Sequence, residues 1–194
     1  MSKKALLIVD VQNDFCPGGK LPVKDCDRII SNINTSIDKF KKANLPIIAS
    51  RDWHPADSRH FKEFGGGWPV HCVRNSKGAE FHPLLKVPDN IIVISKGTRI
   101  DEDSYSAFEG RDDKGLSLSE VIKRLRVKEL FICGMATDYC VKFSALDAVK
   151  DGLEVYLLLD CIEAVDINKG DGEKAIEEMA ARGVKKIKVG EVIL

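Results

Sequence analysis

Short unbroken runs of apolar residues alternate along the chain with segments whose apolar residues recur every three or four positions. Buried strands are predicted at residues 5–11, 46–50, 91–95, 130–134, 155–159 and 186–189. Helices are predicted at residues 29–40, 119–126, 171–182 and from 137 or 138 to about 151. Strands that are apolar on both faces and are separated by helices indicate a parallel sheet covered on both sides. We therefore expect an α/β fold, a three-layer sandwich with about six mainly parallel strands.

The composition fits a single globular domain over residues 1–194, with 44% hydrophobic residues. Thirty Lys and Arg residues balance thirty Asp and Glu residues, so no net charge attracts nucleic acid or an anionic membrane. No apolar run approaches the roughly 20 residues needed to cross a bilayer. The first apolar run is interrupted by Asp10, which favours a strand over a signal peptide, and we expect a cytoplasmic location.

The six cysteines contain no C-x-x-C pair, which argues against a zinc ribbon or a thioredoxin-type dithiol. A chain of this length can build its own hydrophobic core, and a reducing cytosol disfavours disulfides. We therefore expect free thiols rather than a disulfide framework.

An acid, an amine and a thiol follow three of the predicted strands. Asp10 ends the first run, Lys96 follows the third, and Cys140 opens the helix after the fourth. The carboxyl ends of parallel strands meet at one edge of a sheet, and a helix start stabilises a thiolate. Together they form a nucleophile, a base and a cation, as covalent catalysis requires. Alternatively, Cys140 is a small buried hydrophobe, Asp10 caps a turn and Lys96 is a solvated strand end.

Histidines near the second strand suggest metal chemistry. Asp52 and His54 share a face of an extended segment, and His71 could complete a set of one carboxylate and two imidazoles. His60 is a further candidate ligand, whereas we expect a structural role for His82. A set of this size leaves coordination positions open, which is typical of functional metal sites. The alternative is that each histidine is an ordinary surface or hydrogen-bonded residue.

Six motifs follow one another along nearly the whole chain and carry a resemblance. They are Val9-Asp10-Val11-Gln12-Asn13-Asp14-Phe15, Arg51-Asp52-Trp53-His54-Pro55, Trp68-Pro69-Val70-His71-Cys72, Lys96-Gly97, Tyr105-Ser106-Ala107-Phe108-Glu109-Gly110 and Gly134-Met135-Ala136-Thr137-Asp138-Tyr139-Cys140-Val141. In these motifs the chain resembles nicotinamidases (pyrazinamidases) of the isochorismatase-like cysteine hydrolase superfamily. The Asp-x-His and Trp-Pro-x-His motifs, together with Tyr-Ser-x-Phe-Glu-Gly, are the most specific to nicotinamidases, because other superfamily members generally lack this metal site.

The resemblance implies an isochorismatase-like fold and assigns roles to individual positions. The implied catalytic triad consists of Asp10, Lys96 and Cys140. The implied metal ligands are Asp52, His54 and His71. His60 is an additional candidate, and it is kept apart from the other three because that position varies in the family. A cis peptide between Met135 and Ala136 is implied, and so is an oxyanion hole formed by the backbone N–H groups of Ala136 and Cys140. The implied substrate pocket is walled by Phe15, Trp68 and Tyr105.

The activity implied by the resemblance is hydrolysis of nicotinamide to nicotinate and ammonia in NAD salvage, and of pyrazinamide to pyrazinoate, through a thioester. One divalent transition metal ion is implied, and we expect zinc, with iron or manganese as alternatives. No organic cofactor, nucleic acid or membrane partner is expected. The sequence leaves open whether the chain forms a homo-oligomer.

Three other functions remain as alternatives. Another isochorismatase-like hydrolase acting on a different small amide would share the triad but not the Asp52, His54 and His71 set. A non-catalytic small-molecule-binding relative would not need an intact triad. A redox or structural metal protein using Cys72 would leave Cys140 unexplained.

Overall fold

The computed structural model describes residues 3–194, and in this range every predicted strand and helix is present, with ends shifted by a few residues. The strands are β1 (Lys3–Val9), β2 (Ile47–Asp52), β3 (Ile92–Lys96), β4 (Val127–Met135), β5 (Glu154–Glu163) and β6 (Lys185–Ile187). The α-helices are α1 (Asp27–Lys42), α2 (Leu118–Leu125), α3 (Lys142–Lys150) and α4 (Asp171–Ala181). No helix within residues 3–194 has the length and apolar character of a membrane span.

The six strands form one sheet in the order β3-β2-β1-β4-β5-β6. All five neighbouring pairs are parallel, so the carboxyl ends of the strands lie along the same edge. The first strand lies inside the sheet, between β2 and β4, which places the residue that follows it near the middle of that edge. The expected parallel sheet is confirmed.

The sheet is covered on both faces, as the apolar runs predicted. Successive side chains of a strand point to opposite faces. Leu6 and Ile8 of β1 pack in the cluster that contains the buried face of α1. Leu7 and Val9 pack in a second cluster with residues of α2, α3 and α4. The fold is therefore a three-layer sandwich, with α1 on one face and the other three helices on the opposite face.

Local signals explain where the helices begin and end. The side chains of Ser117 and Glu120 form a capping box at the start of α2, which satisfies backbone N–H groups there. A π-helical turn, Thr137–Val141, precedes α3. Helix α3 ends just before Gly152, whose positive φ of 80° marks the predicted stop.

The long connection between β2 and β3 is ordered by short backbone bridges. His54 pairs with Val73, and Phe61 pairs with Trp68, in isolated β-bridges. The N–H of His54 donates to the carbonyl of Cys72 over 3.1 Å. This pairing brings residues near the start and the middle of the connection side by side, beyond the carboxyl end of β2.

The expectation that all cysteines are free thiols was wrong for one pair. Cys16 and Cys26 form a disulfide with a Cα–Cα distance of 5.6 Å. This separation lies within the range that a disulfide requires. The loop between β1 and α1 folds back on itself and brings the two residues together, which the sequence spacing alone did not reveal. The other four cysteines are free and buried.

Candidate active site and metal centre

Asp10, Lys96 and Cys140 meet at the carboxyl edge of the sheet. Asp10 directly follows β1, Lys96 is the last residue of β3, and Cys140 lies in the π-helical turn after β4. The Lys96 Nζ atom is 3.0 Å from Asp10 Oδ2 and 3.5 Å from Cys140 Sγ. Both Lys96 and Asp10 are fully buried. The parallel topology therefore brings together three residues that are far apart in sequence.

Lys96 is held as a cation by two carboxylates. Its ammonium forms ion pairs with Asp10 and Asp52 and donates to the carbonyl of Ser104 over 3.3 Å. Burial alone would lower the pKa of Lys96, but the two carboxylates raise that pKa well above its ordinary value. The site thus contains a permanent buried positive charge beside the thiol.

Burial raises the pKa values of both Asp10 and Cys140. Burial raises the pKa of Asp10, although Lys96 and the Ser50 hydroxyl oppose the effect. The Ser50 hydroxyl donates to Asp10 Oδ1 over 2.7 Å, and Asp10 Oδ2 has no aligned hydrogen bond. Burial also raises the pKa of the Cys140 thiol well above its usual range, against the lowering effect of Lys96. A carboxylate with a raised pKa is better matched to proton transfer near neutral pH.

The backbone beside Cys140 has the cis peptide that the resemblance implied, between Met135 and Ala136. The N–H groups of Tyr139 and Val141 both donate to the carbonyl of Ala136, over 3.0 and 3.1 Å. These two hydrogen bonds hold the Ala136 carbonyl in place at the start of the π-helical turn that contains Cys140.

Three imidazoles gather next to this cluster. His54, His60 and His71 are buried, and each has a candidate ligand atom within 4.8 Å of those of the other two. The Nδ1 of His71 donates to the carbonyl of Pro69 over 2.7 Å, and the Nδ1 of His54 donates to that of Gly97 over 3.1 Å. A carbonyl oxygen can only accept, so each Nδ1 carries a proton, and Nε2 is the nitrogen through which each ring could bind a metal.

Asp52 connects the imidazoles to the buried ammonium. Its Oδ2 atom is 3.8 Å from the Nε2 atoms of both His54 and His71, and its other oxygen pairs with Lys96. Burial alone would raise the pKa of Asp52, but Lys96 and the imidazoles lower that pKa below its ordinary value. Asp52 is therefore an ionised carboxylate that faces the histidines.

These residues fit a divalent transition metal. His54 Nε2 is a fully buried nitrogen without a hydrogen-bond partner, and such an atom in a native fold calls for a ligand. Burial lowers the pKa of His71 to about 4, so this imidazole is neutral and can donate its lone pair. Imidazole nitrogens with one carboxylate suit zinc, iron or manganese. His60 lies within the cluster, whereas His82 lies apart from it, with its Nε2 atom 3.9 Å from Asp27.

A cavity opens onto both groups of residues. Its walls include the three aromatic side chains that the resemblance assigned to the pocket, together with Cys140 and His71. The indole N–H of Trp68 donates to the hydroxyl of Tyr105 over 2.9 Å, which fixes the two rings relative to each other. The Phe15 ring lies 5.5 Å from the His71 ring, measured between centroids. The cavity therefore borders the Cys140 thiol and the imidazoles of His60 and His71 together.

Several residues of the site were not identified from the sequence. Tyr139 lines the cavity and packs edge-on against Trp68, with ring centroids 5.0 Å apart. Asp103 contacts the Nδ1 of His60. Tyr139 directly precedes Cys140, and this adjacency was a signal that could have found it. Asp103 lies in a polar loop, where nothing in the local pattern distinguishes it from other acidic residues.

Gln12 and Gly97 are two further supporting residues that the sequence did not assign. The Gln12 side chain is buried and bonds both the N–H and the carbonyl of Asp52, each over 2.8 Å. Gly97 has a φ of +62°, and a Cβ atom at this position would lie 2.3 Å from the His54 ring. Gln12 belongs to the first of the six motifs, and Gly97 belongs to the Lys96-Gly97 motif. Their contacts give a structural reason for an amide and a glycine at these positions.

Comparison with known proteins gives a consistent result. The sequence pattern of the isochorismatase domain matches residues 4–191. The chain is 40% identical to the nicotinamidase of Escherichia coli, over 94% of this chain and 93% of that protein. It is 35% identical to the nicotinamidase/pyrazinamidase of Mycobacterium tuberculosis, over 94% of this chain and 97% of that protein.

A solved structure extends this similarity to the fold. The pyrazinamidase of Pyrococcus horikoshii, determined in complex with zinc, superposes with a TM-score of 0.89 at 46% sequence identity. The match covers 96% of this chain and 99% of that one. The family pattern, the relatives and the fold agree, and the chain therefore belongs to the isochorismatase family.

Proposed function

We propose that this protein is a nicotinamidase, which hydrolyses nicotinamide to nicotinate and ammonia in NAD salvage and also converts pyrazinamide to pyrazinoate. The observation that carries the proposal is that Cys140, with Lys96 at 3.5 Å, lines the same aromatic cavity as His60 and His71 of the three-histidine cluster. Relatives named nicotinamidase, at 36–40% identity over nearly the whole chain, support the same activity.

The chemistry begins with proton transfer from the Cys140 thiol to Asp10. The thiolate attacks the carboxamide carbon of the substrate, while the Lys96 ammonium stabilises the negative charges of the site. The backbone N–H groups of Ala136 and Cys140 then hold the oxyanion, and loss of one such donor typically costs about 3–4 kcal/mol.

Asp10 next gives its proton to the departing nitrogen, and the C–N bond breaks to release ammonia. The acyl group remains on Cys140 as a thioester. Asp10, now ionised again, takes a proton from water, whose oxygen attacks the thioester carbon. The C–S bond breaks, the thiolate regains its proton from Asp10, and nicotinic acid leaves and releases its proton to solvent to give nicotinate.

In this proposal Asp52, His54 and His71 would hold one divalent metal ion, with His60 as an additional candidate ligand from the same cluster. We expect zinc, the metal present in the Pyrococcus horikoshii relative, with iron or manganese as alternatives. When bound, the metal would offer an open position to the pyridine nitrogen and so orient the ring. Phe15, Trp68 and Tyr105 would enclose the ring faces and exclude water from the reacting carbon.

The cellular setting is part of the proposal. Equal numbers of basic and acidic residues, 30 of each, give no general attraction to nucleic acid or membrane, so we propose that the partner is the small-molecule substrate. We propose a cytoplasmic location, in which the Cys16–Cys26 disulfide persists because both cysteines are buried.

The decisive assay is ammonia release from nicotinamide by the zinc-loaded protein, with Cys140→Ala measured beside it. We expect turnover by the wild type and none above background by Cys140→Ala. Cys161→Ala is the matched control, because Cys161 is also a buried free cysteine but lies outside the cavity. Release of ammonia from another small amide, but not from nicotinamide, would instead assign the chain to a different hydrolase of the family.

A further inference from the structure

The three imidazoles of the cluster are oriented by different kinds of acceptor. The Nδ1 of His71 donates to the backbone carbonyl of Pro69, and the Nδ1 of His54 donates to that of Gly97. The Nδ1 of His60 instead contacts a side chain, the carboxylate of Asp103. Of these three acceptors, only the carboxylate can be removed by substitution without changing the backbone.

We propose that Asp103 is a positioning residue that turns His60 Nε2 toward the metal and so strengthens metal binding. The proposal rests on the metal centre of the proposed function. An acceptor at Nδ1 fixes the tautomer of a ligating histidine and increases the basicity of its other nitrogen. Removal of such a partner typically weakens metal affinity by about 10–100-fold.

The placement of the two residues suits this role. The His60 side chain is 5% exposed, whereas that of Asp103 is 63% exposed, so the acid reaches inward from the surface to a buried ring. The two loops are also joined by the N–H of Arg59, which donates to the carbonyl of Ile100 over 2.8 Å. The backbone thus keeps the carboxylate near the imidazole independently of their mutual contact.

The same loop links the metal centre to the other parts of the site. The carbonyl of Ser104, the next residue, accepts from Lys96 Nζ over 3.3 Å. Tyr105 follows and lines the cavity, with its ring centroid 6.0 Å from that of His60. The contact of Asp103 with His60 therefore connects the candidate metal centre to the loop that also contacts Lys96 and lines the cavity.

A neighbouring ion pair provides a matched control. Asp101, two residues before Asp103, pairs with Arg59 over 2.9 Å, and both side chains are largely exposed. Exposed pairs of this kind contribute little to stability. Asp101→Ala removes an acid from the same loop and breaks its ion pair with Arg59. It leaves the Nδ1 acceptors of His54, His60 and His71 unchanged.

The experiment measures zinc affinity on metal-free protein by competition with a chromogenic chelator, for the wild type, Asp103→Ala, Asp103→Asn and Asp101→Ala. We expect a 10–100-fold loss in Asp103→Ala, a smaller loss in Asp103→Asn because its amide oxygen still accepts, and wild-type affinity in Asp101→Ala. Circular dichroism checks that each variant is folded. Zinc affinity of Asp103→Ala within twofold of the wild type, or an equal loss in Asp101→Ala, would overturn the proposal.

A double variant separates positioning from a general loop effect. If Asp103 acts through His60, then adding Asp103→Ala to His60→Ala should cause no further loss of zinc affinity. A second loss of equal size would contradict the proposal. The visible absorption of bound Co²⁺ should also change in Asp103→Ala and stay unchanged in Asp101→Ala. Ammonia release is measured separately, so its absence would overturn the proposed function, whereas the zinc affinities alone decide the role of Asp103.

Discussion

The ammonium of Lys96 lies 3.5 Å from the sulfur of Cys140, although 44 residues separate the two in the sequence. Lys96 ends β3 and Cys140 follows β4. All strands of the sheet are parallel, so the carboxyl ends of these two strands lie at the same edge, with β2 and β1 between them. A buried ammonium at this distance lowers the pKa of the Cys140 thiol and so opposes the raising effect of burial. The relationship makes Lys96 the first residue to test after the nucleophile itself.

We expect Lys96→Met to lower kcat by roughly 10⁴-fold or more, the size of effect seen when one member of a catalytic triad is removed. Because Asp10 and Asp52 would lose their buried cation, the free energy of unfolding should also fall, by about 3–5 kcal/mol. Steady-state kinetics and urea unfolding measure the two effects. Residues that act as a unit are not additive, so Lys96→Met combined with Asp10→Asn should be little worse than either single variant. Multiplied losses in the double variant would place Lys96 outside the triad.

The amount of bound metal should depend on the three clustered histidines and not on His82, the fourth histidine of the chain. We expect His71→Ala to lose most of its bound metal and activity, and His60→Ala to lose less. His82→Ala is the control, since His82 lies outside the cluster and its Nδ1 accepts from the N–H of Leu84. Elemental analysis of the purified variants gives the metal content per chain. One full equivalent of metal in His71→Ala would contradict this ligand set.

The disulfide stabilises the loop that follows the first strand. Leu21 and Val23 line the cavity from within the closed loop between Cys16 and Cys26. Replacing both cysteines by alanine should lower the free energy of unfolding by about 2–3 kcal/mol, the loop-closure contribution expected for this spacing. It should also raise KM for nicotinamide, because a wall of the cavity becomes less ordered.

Thiol counting and a matched variant test this prediction. Alkylation of the denatured protein without reductant should label four cysteines, the free ones, and after reduction all six. Cys133→Ala gives the cost of removing one buried free thiol, and twice this cost is subtracted from the urea-unfolding result. Six labelled cysteines before reduction would show that the bond is absent from the protein in solution.

Substrate choice should follow the ring nitrogen. Nicotinamide and pyrazinamide carry a nitrogen meta to the carboxamide, whereas benzamide does not. A site built around a polar group rejects an analogue that lacks it by up to roughly 10⁴–10⁵-fold. We therefore expect kcat/KM for benzamide to be lower than for either heterocycle by at least a hundredfold, and a short aliphatic amide to react poorly in the slot between Trp68 and Phe15. Benzamide within tenfold of nicotinamide would show that the metal does not anchor the ring nitrogen.

Most of the fold was accessible from the sequence because parallel strands buried on both faces are nearly unbroken apolar runs. The same reasoning placed Asp10 and Lys96 at one edge, because strand direction alone determines that edge. The metal cluster was less accessible. His54, His60 and His71 lie in a long connection whose path is set by backbone bridges rather than by periodicity.

Other parts of the site depend on contacts that a linear pattern does not encode. The pairing of Cys16 with Cys26 requires the loop to turn back on itself. The contact of Asp103 with His60 joins two polar loops 43 residues apart, and polar loops contain many acids that have no such partner. Val165 enters the cavity because two backbone N–H groups of its loop, its own and that of Asp166, donate to the Asp138 carboxylate.

The most direct test of the account is to find where the substrate becomes covalently attached. Zinc-loaded protein is mixed with nicotinamide, quenched with acid during turnover, digested and analysed by mass spectrometry, with Cys140→Ala treated in parallel. We predict a nicotinoyl group on the peptide that contains Cys140, and no adduct in the variant. Adduct formation at Cys72 or another cysteine, or turnover by the Cys140→Ala variant, would contradict the account.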